Sequence, residues 1–194
     1  MSLITYTELC KLVEDDVLCV SHLNPKPYDS IPLDNINGAS IDVRLGCVFL
    51  REPLTDEYPA FVNLKNKDEF KFLRQEVAWG QEVFLAPGEF MLAHTVETFN
   101  LPNYIAAEFR LKSSVARAGL DQALAVWCDP GWNSSVLTIE LRNNSRYHVL
   151  VLEAGQKIGQ IVFFKGEPVP DEASYAARGQ YNNQLEVIGN LGVR

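Results

Sequence analysis

The feature that most constrains the fold is a series of short apolar segments that alternate with polar residues and are separated by turns. Residues 136–142 (VLTIELR) place Leu137, Ile139 and Leu141 on one face, and residues 40–46 (SIDVRLG) alternate in the same way. This period of two is typical of half-buried β-strands. Further strands are predicted at residues 82–99, 104–111, 148–152 and 158–164. Many short strands with closely spaced turns predict an all-β chain, folded as a sandwich or barrel.

The two ends of the chain differ from this β-rich middle. Residues 5–20 are predicted to be helical, because apolar residues recur there at helical intervals and Thr5 and Glu8 have capping-box spacing. A proline-rich connector at residues 24–32 follows. The polar tail from Pro168 onward is expected to be mobile unless something tethers it. A length of 194 residues fits a single domain spanning 1–194.

The charge of the chain limits its partners. The formal net charge is -8, which repels nucleic acid and anionic membranes over long range. No run of about 18 apolar residues predicts a membrane span, and the first residues lack the features of a signal peptide. Cysteines at 10, 19, 47 and 128 have no regular spacing, which favours reduced thiols in a cytoplasmic protein.

One segment gathers cations and hydroxyl groups in spite of this acidity. Lys112, Ser113, Ser114 and Arg117 lie close together and precede Gly119. The small residues allow backbone amides to approach an anion, and the Arg117 guanidinium offers paired donors to phosphate oxygens or to a developing oxyanion. The same residues would also suit a polar loop between strands. We interpret the segment as a candidate anion site.

The second candidate is the carboxylate of Glu140, which shares the polar face of its predicted strand with Thr138. A lone glutamate on such a face is usually solvated. One that faces a dry pocket has a raised pKa and can act as a general base. Trp132 follows an Asp129-Pro-Gly turn and would pack either in the core or against a base or sugar.

Several common sites are excluded by their missing motifs. Zinc deaminases of bases carry an H-x-E element and a P-C-x-x-C pair. Here His94 is followed by Thr-Val-Glu, and no P-C-x-x-C occurs. We therefore expect no zinc. Neither G-x-x-x-x-G-K-[ST] nor G-x-G-x-x-G is present, so neither a P-loop nor a Rossmann site is expected.

Separated segments in a fixed order resemble the dCTP deaminases of the dUTPase superfamily. They are KSSVARAGL, DPGW, TIELRN, KIGQIVFF and the RGQYNNQ tail, and upstream residues 36–46 and 85–102 are similar to that family too. The resemblance covers nearly the whole chain after the first helix. It implies a distorted β-barrel or jelly-roll of the dUTPase-like type with a short N-terminal helix. It also implies a homotrimer with active sites between subunits.

The resemblance further implies an activity and the residues for it. The reaction would be zinc-independent hydrolysis of dCTP to dUTP and ammonia, supplying dUTP for dTMP synthesis, with Mg²⁺ carried by the nucleotide and dTTP as a candidate feedback inhibitor. Glu140 would be the general base that activates water, Ser113 would position the water or the leaving amine, and Arg117 would stabilise the intermediate. The implied substrate contacts are Lys112, Ser114, Ala125, Asp129, Trp132, Thr138, Gln160, Tyr175, Arg178, Gln180 and Gln184.

Two of these positions depart from the pattern of the family. Lys112 stands where the family usually has arginine, so the charge is kept but the bidentate fork is lost. Gln180 stands where the tail usually has lysine, and Arg178 is a substitute nearby. The tail, residues 170–194, is expected to act as a lid over the triphosphate.

Three alternatives remain open at the level of the sequence. A bifunctional enzyme would also hydrolyse dUTP to dUMP and pyrophosphate, with Asp42 or Asp129 holding a second water. Trp132, where several bifunctional members have phenylalanine, favours deamination alone. A plain dUTPase fits the TIEL and KIGQ segments less well. A nucleotide-binding regulator or structural jelly roll without catalysis is disfavoured by the intact set of candidate catalytic residues.

Overall fold

A computed structural model describes residues 1–15, 17–22, 33–53, 61–66 and 70–192. The proline-rich connector predicted at 24–32 lies outside these residues. Within them, none of the helices is long and apolar enough to cross a lipid bilayer. The thiols of Cys10, Cys47 and Cys128 are free.

The described residues form thirteen strands and three short helices. The strands are β1 (Ser2–Leu3), β2 (Cys19–His22), β3 (Ile41–Arg44), β4 (Val48–Arg51), β5 (Leu73–Glu76), β6 (Glu82–Leu85), β7 (Phe90–Phe99), β8 (Ile105–Leu111), β9 (Leu120–Gln122), β10 (Trp127–Cys128), β11 (Ser135–Asn143), β12 (Leu150–Glu153) and β13 (Lys157–Lys165). The helices are α1 (Tyr6–Glu14), α2 (Ser113–Arg117) and α3 (Tyr175–Arg178), and 3-10 turns lie at Leu33–Asn35 and Asp171–Ala173. The all-β prediction is confirmed.

Two antiparallel sheets carry most of the described strands. The first joins β1, β13, β8 and β10 in that order, and β3 also pairs with β13. The second has the order β5-β4-β7-β11-β9, and β2 pairs with β7. A separate ribbon consists of β12 and β6. The strand β11 therefore lies between β7 and β9, whereas β8 leads directly into α2.

The apolar faces of the sheets meet in one main core. Its largest fully buried side chains include Phe49, Phe99, Phe109 and Phe163. A second, smaller cluster contains Val48, Leu92 and Val187, with the partly buried Leu50, Phe72 and Phe90 packed against it. Because Val187 belongs to this second cluster, the tail is part of the packed structure.

The strand β3 departs from the simple alternation predicted for it. Its apolar residues are buried as expected, but Asp42 and Arg44 are also buried, with 4% and 6% of their surfaces exposed. Both polar side chains find charged partners: Asp42 pairs with lysines, and Arg44 pairs with Glu97. The second face of this strand is therefore a buried polar layer, as required for charges removed from water.

A buried network joins β7 to β11 where their pairing is irregular. Glu97 accepts hydrogen bonds from the Arg44 backbone N–H at 2.9 Å and from its Nε at 2.7 Å. The Thr95 hydroxyl donates to the Glu97 carbonyl and accepts the Leu137 N–H at 2.9 Å. The register shifts here between Val136 and Thr138. This bulge re-aims β11 just before its polar residues.

The N-terminal helix is shorter than predicted. Residues 5–20 were expected to be helical, but α1 ends at Glu14 and residues 19–20 belong to β2. The strand pairs with β7, where Cys19 lies opposite Phe99, and this pairing overrides the local helical spacing. Thr5 is the N-cap residue as predicted, although its side chain makes no capping bond.

Candidate active site

A cavity of about 600 Å³ opens on the face of β11 that carries Glu140. This volume lies within the range of sites for small molecules. Six of the predicted site residues line it: Ala125, Trp132, Thr138, Glu140, Tyr175 and Gln184. The remaining wall is mainly apolar and comes from β7, the segment before β5, the loop before β10 and the tail. The alternation of β11 thus places its polar face on a cavity rather than in bulk solvent.

Glu140 is held at one flank by a neighbouring strand. Its carboxylate is half-buried, and Gln122 of β9 donates its Nε2 to Oε2 at 3.2 Å. Burial raises the pKa of Glu140 above that of an ordinary glutamate, and the bond from Gln122 only partly opposes this effect. A carboxyl with a raised pKa in a cavity is suited to proton transfer near neutral pH.

The Thr138 hydroxyl indicates that the same cavity binds a polar ligand. Its hydroxyl oxygen is buried and has no hydrogen-bond partner among the described residues. A buried hydroxyl without a partner is costly, since the group loses its bonds to water and gains none in return. Thr138 is two residues from Glu140 on the same face of β11, so one bound molecule can contact both side chains.

The opposite flank of Glu140 is apolar. Glu140 lies directly across from Leu92 of β7, and the next pair on that face joins Arg142 to Phe90. Both Phe90 and Leu92 line the cavity, together with Phe72. The carboxylate therefore stands between a polar amide on the β9 side and a hydrocarbon surface on the β7 side.

The tail closes one side of the cavity. The Trp132 Nε1 donates to the Tyr181 carbonyl at 2.9 Å, and the Val136 N–H donates to the Gln184 carbonyl at 2.8 Å. The Gln184 N–H reaches the Ser135 hydroxyl at 3.2 Å. The tail, which we expected to be mobile unless tethered, is thus tied to the start of β11.

Tyr175 opens α3 beside these contacts. Its N–H donates to the Pro130 carbonyl at 2.9 Å, and its side chain packs against the main core. Burial raises the pKa of the Tyr175 phenol, which therefore stays protonated as a hydrogen-bond donor at neutral pH. A backbone carbonyl of the DPGW turn thus fixes the start of α3 at the cavity.

The cationic segment lies elsewhere in the chain. Ser113, Ser114 and Arg117 are exposed on α2, which is a single helical turn. Lys112 precedes this turn and donates its Nζ to Asp42 Oδ1 at 2.7 Å. None of these residues lines the cavity of Glu140.

The carboxylate of Asp42 is well supplied with donors. Besides Lys112, it accepts from Asn37 Nδ2 at 2.9 Å and pairs with Lys157 at 3.3 Å. Burial alone would raise its pKa, but the bonds from Lys112, Asn37 and Lys157 outweigh burial and hold the pKa of Asp42 below its usual value. Nearby, Gln160 accepts a bond from the Ser40 hydroxyl at 3.1 Å.

Three further predicted residues also lie outside the cavity lining. Asp129 is exposed and accepts the Trp127 Nε1–H at 2.8 Å. Arg178 is exposed and donates its Nε to the Glu172 carbonyl at 2.6 Å, whereas Gln180 is half-buried. Within a single chain, six predicted residues thus line the cavity that holds Glu140, whereas Lys112, Ser113, Ser114 and Arg117 lie on or beside α2, away from that cavity.

The partners of Glu140 were not predicted from the sequence. Gln122 was not singled out, because its importance depends on β9 pairing with β11, where Gln122 lies opposite Leu141. The alternation of residues 90–99 could have indicated Phe90 and Leu92 as one face of a strand, but not that this face lies beside Glu140. Tyr181 contributes through its carbonyl, which no side-chain motif reveals.

The described residues define a β-sheet protein with a ligand-sized cavity and, inside it, a half-buried carboxylate whose pKa is raised by burial. The family model described as dCTP deaminase-like matches residues 5–166, and the chain belongs to that family. The resemblance noted in the sequence is thereby confirmed.

Two curated relatives have similar sequences. One, named dCTP deaminase, dUMP-forming, from Corynebacterium diphtheriae, is 36% identical over 156 residues, which is 80% of this chain and 79% of the relative. Another of the same name from Persephonella marina is 37% identical over 156 residues, covering 79% of this chain and 82% of the relative. The sequence similarity to each relative therefore extends over most of both chains.

A solved structure shows the same fold. The 2'-deoxycytidine 5'-triphosphate deaminase from Agrobacterium tumefaciens superposes with a TM-score of 0.60 at 21% identity, covering 84% of this chain and 49% of that chain. The present chain therefore spans about half the length of that one. The likeness confirms the predicted distorted, dUTPase-like fold, although the sheets of the described residues are not closed into a barrel.

Proposed function

We propose that this protein deaminates dCTP, with Glu140 as the general base. The observation that carries the proposal is the half-buried Glu140 carboxylate, whose pKa is raised by burial in a cavity that also holds the unpaired Thr138 hydroxyl. The names of the curated relatives support the same substrate. A base with a pKa nearer to neutrality removes a proton from water more effectively than an ordinary, strongly acidic glutamate.

The proposed reaction consumes one water and releases ammonia. Glu140 takes a proton from the water as its oxygen bonds to C4 of cytosine and the C4=N3 π electrons move onto N3, giving a tetrahedral intermediate. Glu140 then gives this proton to the exocyclic amine, the C4–N bond breaks, and ammonia leaves. The remaining proton of the C4 hydroxyl moves to N3, which leaves the C4 carbonyl of uracil. Ser113 positions the water or the amine, and Arg117 stabilises the charge that develops on the ring. No metal is required for these proton transfers.

The division of the candidate residues supports a site shared between protomers. Ser113 and Arg117 lie on an exposed turn, away from the cavity of Glu140 in their own chain. In a homotrimer with the symmetry implied by the family, α2 of one protomer completes the cavity of its neighbour. The exposed hydroxyl and guanidinium groups then gain a function that they lack in the isolated chain.

The other candidate residues divide between the base and the triphosphate. The Ala125 backbone and the Thr138 hydroxyl contact the base, Trp132 walls the site, and Tyr175 and Gln184 close it from the tail. The phosphates meet the residues outside the cavity, which are Lys112, Ser114, Gln160, Arg178 and Gln180.

Magnesium enters this proposal with the triphosphate. Asp42, the buried carboxylate beside Lys112, already receives bonds from Lys112, Asn37 and Lys157, so it does not offer the ion a free ligand. The residues around α2 thus fit a nucleotide-borne Mg²⁺, which would neutralise phosphate charge, better than an ion held by the protein. The cationic side chains then complete that neutralisation.

The names of the relatives favour dUMP as the released product, so we propose the bifunctional reaction ahead of simple release of dUTP. Asp129 is the better candidate to hold the second water, since it is exposed and Asp42 is fully engaged. Trp132 packs on Phe99 and holds Tyr181, a structural role that does not distinguish the two products. Release of dUTP remains the second candidate.

Product analysis tests the proposed function. The protein is incubated with dCTP and Mg²⁺, and ammonia, dUTP, dUMP and pyrophosphate are quantified over time. Ammonia with equal amounts of dUMP and pyrophosphate supports the bifunctional reaction, whereas accumulating dUTP supports deamination alone. Saturable binding of dCTP without ammonia would contradict both and indicate a regulator.

We further propose that dTTP inhibits the reaction and that the protein acts in the cytoplasm. Both statements extend from the family. Initial rates over a range of dCTP concentrations, at several fixed dTTP concentrations, test the first, because a competing nucleotide raises the apparent KM without lowering kcat. Rates that are independent of dTTP would contradict it.

A further inference from the structure

The two flanks of Glu140 differ in polarity, and the difference bears on the kind of cytosine that the site accepts. On the β9 side, Gln122 donates to the carboxylate at 3.2 Å and its amide also lies 3.4 Å from the Ala123 carbonyl. On the β7 side, the residue opposite Glu140 is Leu92, and Phe90 follows on the same face of β7. One flank thus offers hydrogen bonds and the other offers hydrocarbon.

The hydrocarbon flank is a defined surface, which we call the apolar shelf. It consists of Phe72, Phe90 and Leu92, all of which line the cavity. Val187 of the tail packs behind it and is 3% exposed, and Leu92 is 6% exposed. Because a buried cluster supports these side chains from behind, the shelf is a fixed wall of the cavity.

Cytosine has the same asymmetry along its ring. One edge carries O2, N3 and the exocyclic amine, and the other carries the C5–H and C6–H groups. When the polar edge of the ring faces both Gln122 and the backbone near Ala125, C5 faces the apolar shelf. The reverse orientation would set N3 and the amine against Phe90 and Leu92, leaving them without hydrogen-bond partners.

We propose that the site binds cytosine deoxynucleotides that carry a small apolar group at C5, of which 5-methyl-dCTP is the simplest. The proposal rests on the proposed function and names a substrate class for the same site. The cavity, at about 600 Å³, is large enough for a nucleoside with an added methyl group. Moving one methyl group from water onto the shelf tightens binding about fourfold.

The chemistry of the shelf also predicts what the site rejects. A 5-hydroxymethyl group has nearly the same size but carries a hydroxyl that Phe72, Phe90 and Leu92 cannot bond. A site that leaves a buried hydroxyl unpaired discriminates against it. We therefore expect 5-hydroxymethyl-dCTP to bind about tenfold more weakly than 5-methyl-dCTP.

Binding is measured separately from turnover so that electronic effects of the substituent do not interfere. Dissociation constants of the Glu140→Gln protein for dCTP, 5-methyl-dCTP and 5-hydroxymethyl-dCTP are determined with Mg²⁺ present, and ammonia release by the unmodified protein is followed for each. The expected result is tighter binding of 5-methyl-dCTP than of dCTP, with ammonia released from both.

A matched pair of variants assigns the effect to the shelf. Leu92→Ala removes the wall on which the methyl group packs. In this variant, the dissociation constant for dCTP divided by that for 5-methyl-dCTP should therefore fall to about one. Leu152→Ala is the control, because Leu152 is 4% exposed and does not line the cavity, so the same truncation should leave the ratio unchanged.

The outcomes separate this inference from the function on which it rests. Release of ammonia from dCTP together with weaker binding of 5-methyl-dCTP than of dCTP would overturn the inference and leave the proposed function intact. An unchanged ratio in Leu92→Ala would also overturn it. Absence of ammonia from both nucleotides would overturn the proposed function and the inference with it.

Discussion

At the scale of single residues, the proposed role of Glu140 as a base carries a cost to stability. Removing its carboxylate from water disfavours the charged form, and the bond from Gln122 offsets only part of that effect. The group is consequently protonated at a higher pH than an ordinary glutamate. As the pH is lowered, a reaction that needs the carboxylate form therefore slows down at a higher pH than it would with an ordinary glutamate.

The first prediction concerns the pH dependence of kcat/KM for dCTP. The pH at which kcat/KM falls on the acidic side should lie above the pKa range of an exposed glutamate, since the base acts only when deprotonated. Gln122→Leu removes the donor that favours the charged form and should move this fall to still higher pH. A fall at the same pH in both proteins would contradict the proposed interaction.

The second prediction concerns folding. A carboxyl whose pKa is raised in the folded state contributes stability below its unfolded pKa, and this contribution is lost as the pH rises through the folded value. Glu140→Gln carries no such loss, so its Tm should exceed that of the unmodified protein at about pH 8 and approach it at about pH 4. A lower Tm for the variant at the higher pH would contradict this.

The site could be predicted in part from single residues. Alternation along residues 136–142 correctly placed Thr138 and Glu140 on one polar face, because the period of a strand is local. Gln122 and Leu92 could not be found in this way, since each acts through pairing with a distant strand. Local pattern identifies a face, whereas the neighbours of that face depend on the order of strands in the sheet.

At the scale of elements, one buried ion pair joins β3 to β7 beside the irregular pairing of β7 with β11. Arg44 and Glu97 have side chains that are 7% and 0% exposed, and Thr95 links the same region to Leu137. Loss of one member leaves the other charge buried without its partner. This network lies beside the bulge that precedes Thr138 and Glu140 on β11.

The third prediction is that Glu97→Gln lowers the free energy of unfolding by about 3 to 5 kcal/mol. The control is Glu186→Gln, which removes an exposed partner of Arg74 and should cost less than about 1 kcal/mol. Both are measured by urea unfolding at one protomer concentration, because association alters apparent stability. Equal costs for the two variants would refute the structural role of the buried pair.

The tail is the second element on which the site depends. Its attachment includes the indole of Trp132 on the Tyr181 carbonyl and the Gln184 contacts with the start of β11. The polar composition of the tail gave no sign of this, because its partners lie about fifty residues earlier in the chain. This placement is consistent with the lid expected from the family.

The fourth prediction concerns the lid. Trp132→Phe keeps the ring against Phe99 but removes the donor to Tyr181, a loss of about 1 kcal/mol. Amide exchange in residues 181–187 should become about fivefold faster, and the KM for dCTP should rise. Trp79→Phe, outside the cavity lining, is the matched control. An unchanged KM in Trp132→Phe would argue against a lid.

At the scale of the whole molecule, the proposed shared site accounts for the separation of α2 from the cavity of Glu140. The overall class of fold followed from the sequence because strand patterns and turns are local signals. The order of the strands, the early end of α1 and the attachment of the tail did not follow, since each is set by contacts between distant segments. The separation of α2 from Glu140 likewise emerges only in three dimensions.

The fifth prediction tests the shared site. Ser113→Ala and Glu140→Gln proteins should each be inactive alone. After they are unfolded together and refolded, about one interface in four joins an intact Ser113 to an intact Glu140, so about a quarter of the activity should return. No recovery from a confirmed mixed assembly would show that both residues act from the same chain.

The most direct test of the central claim is ammonia release from dCTP and Mg²⁺ by the Glu140→Gln protein, with dCTP binding measured on the same sample. We predict that the variant binds dCTP with an affinity close to that of the unmodified protein and releases almost no ammonia. Release of ammonia at the rate of the unmodified protein would contradict the role of Glu140 as the base.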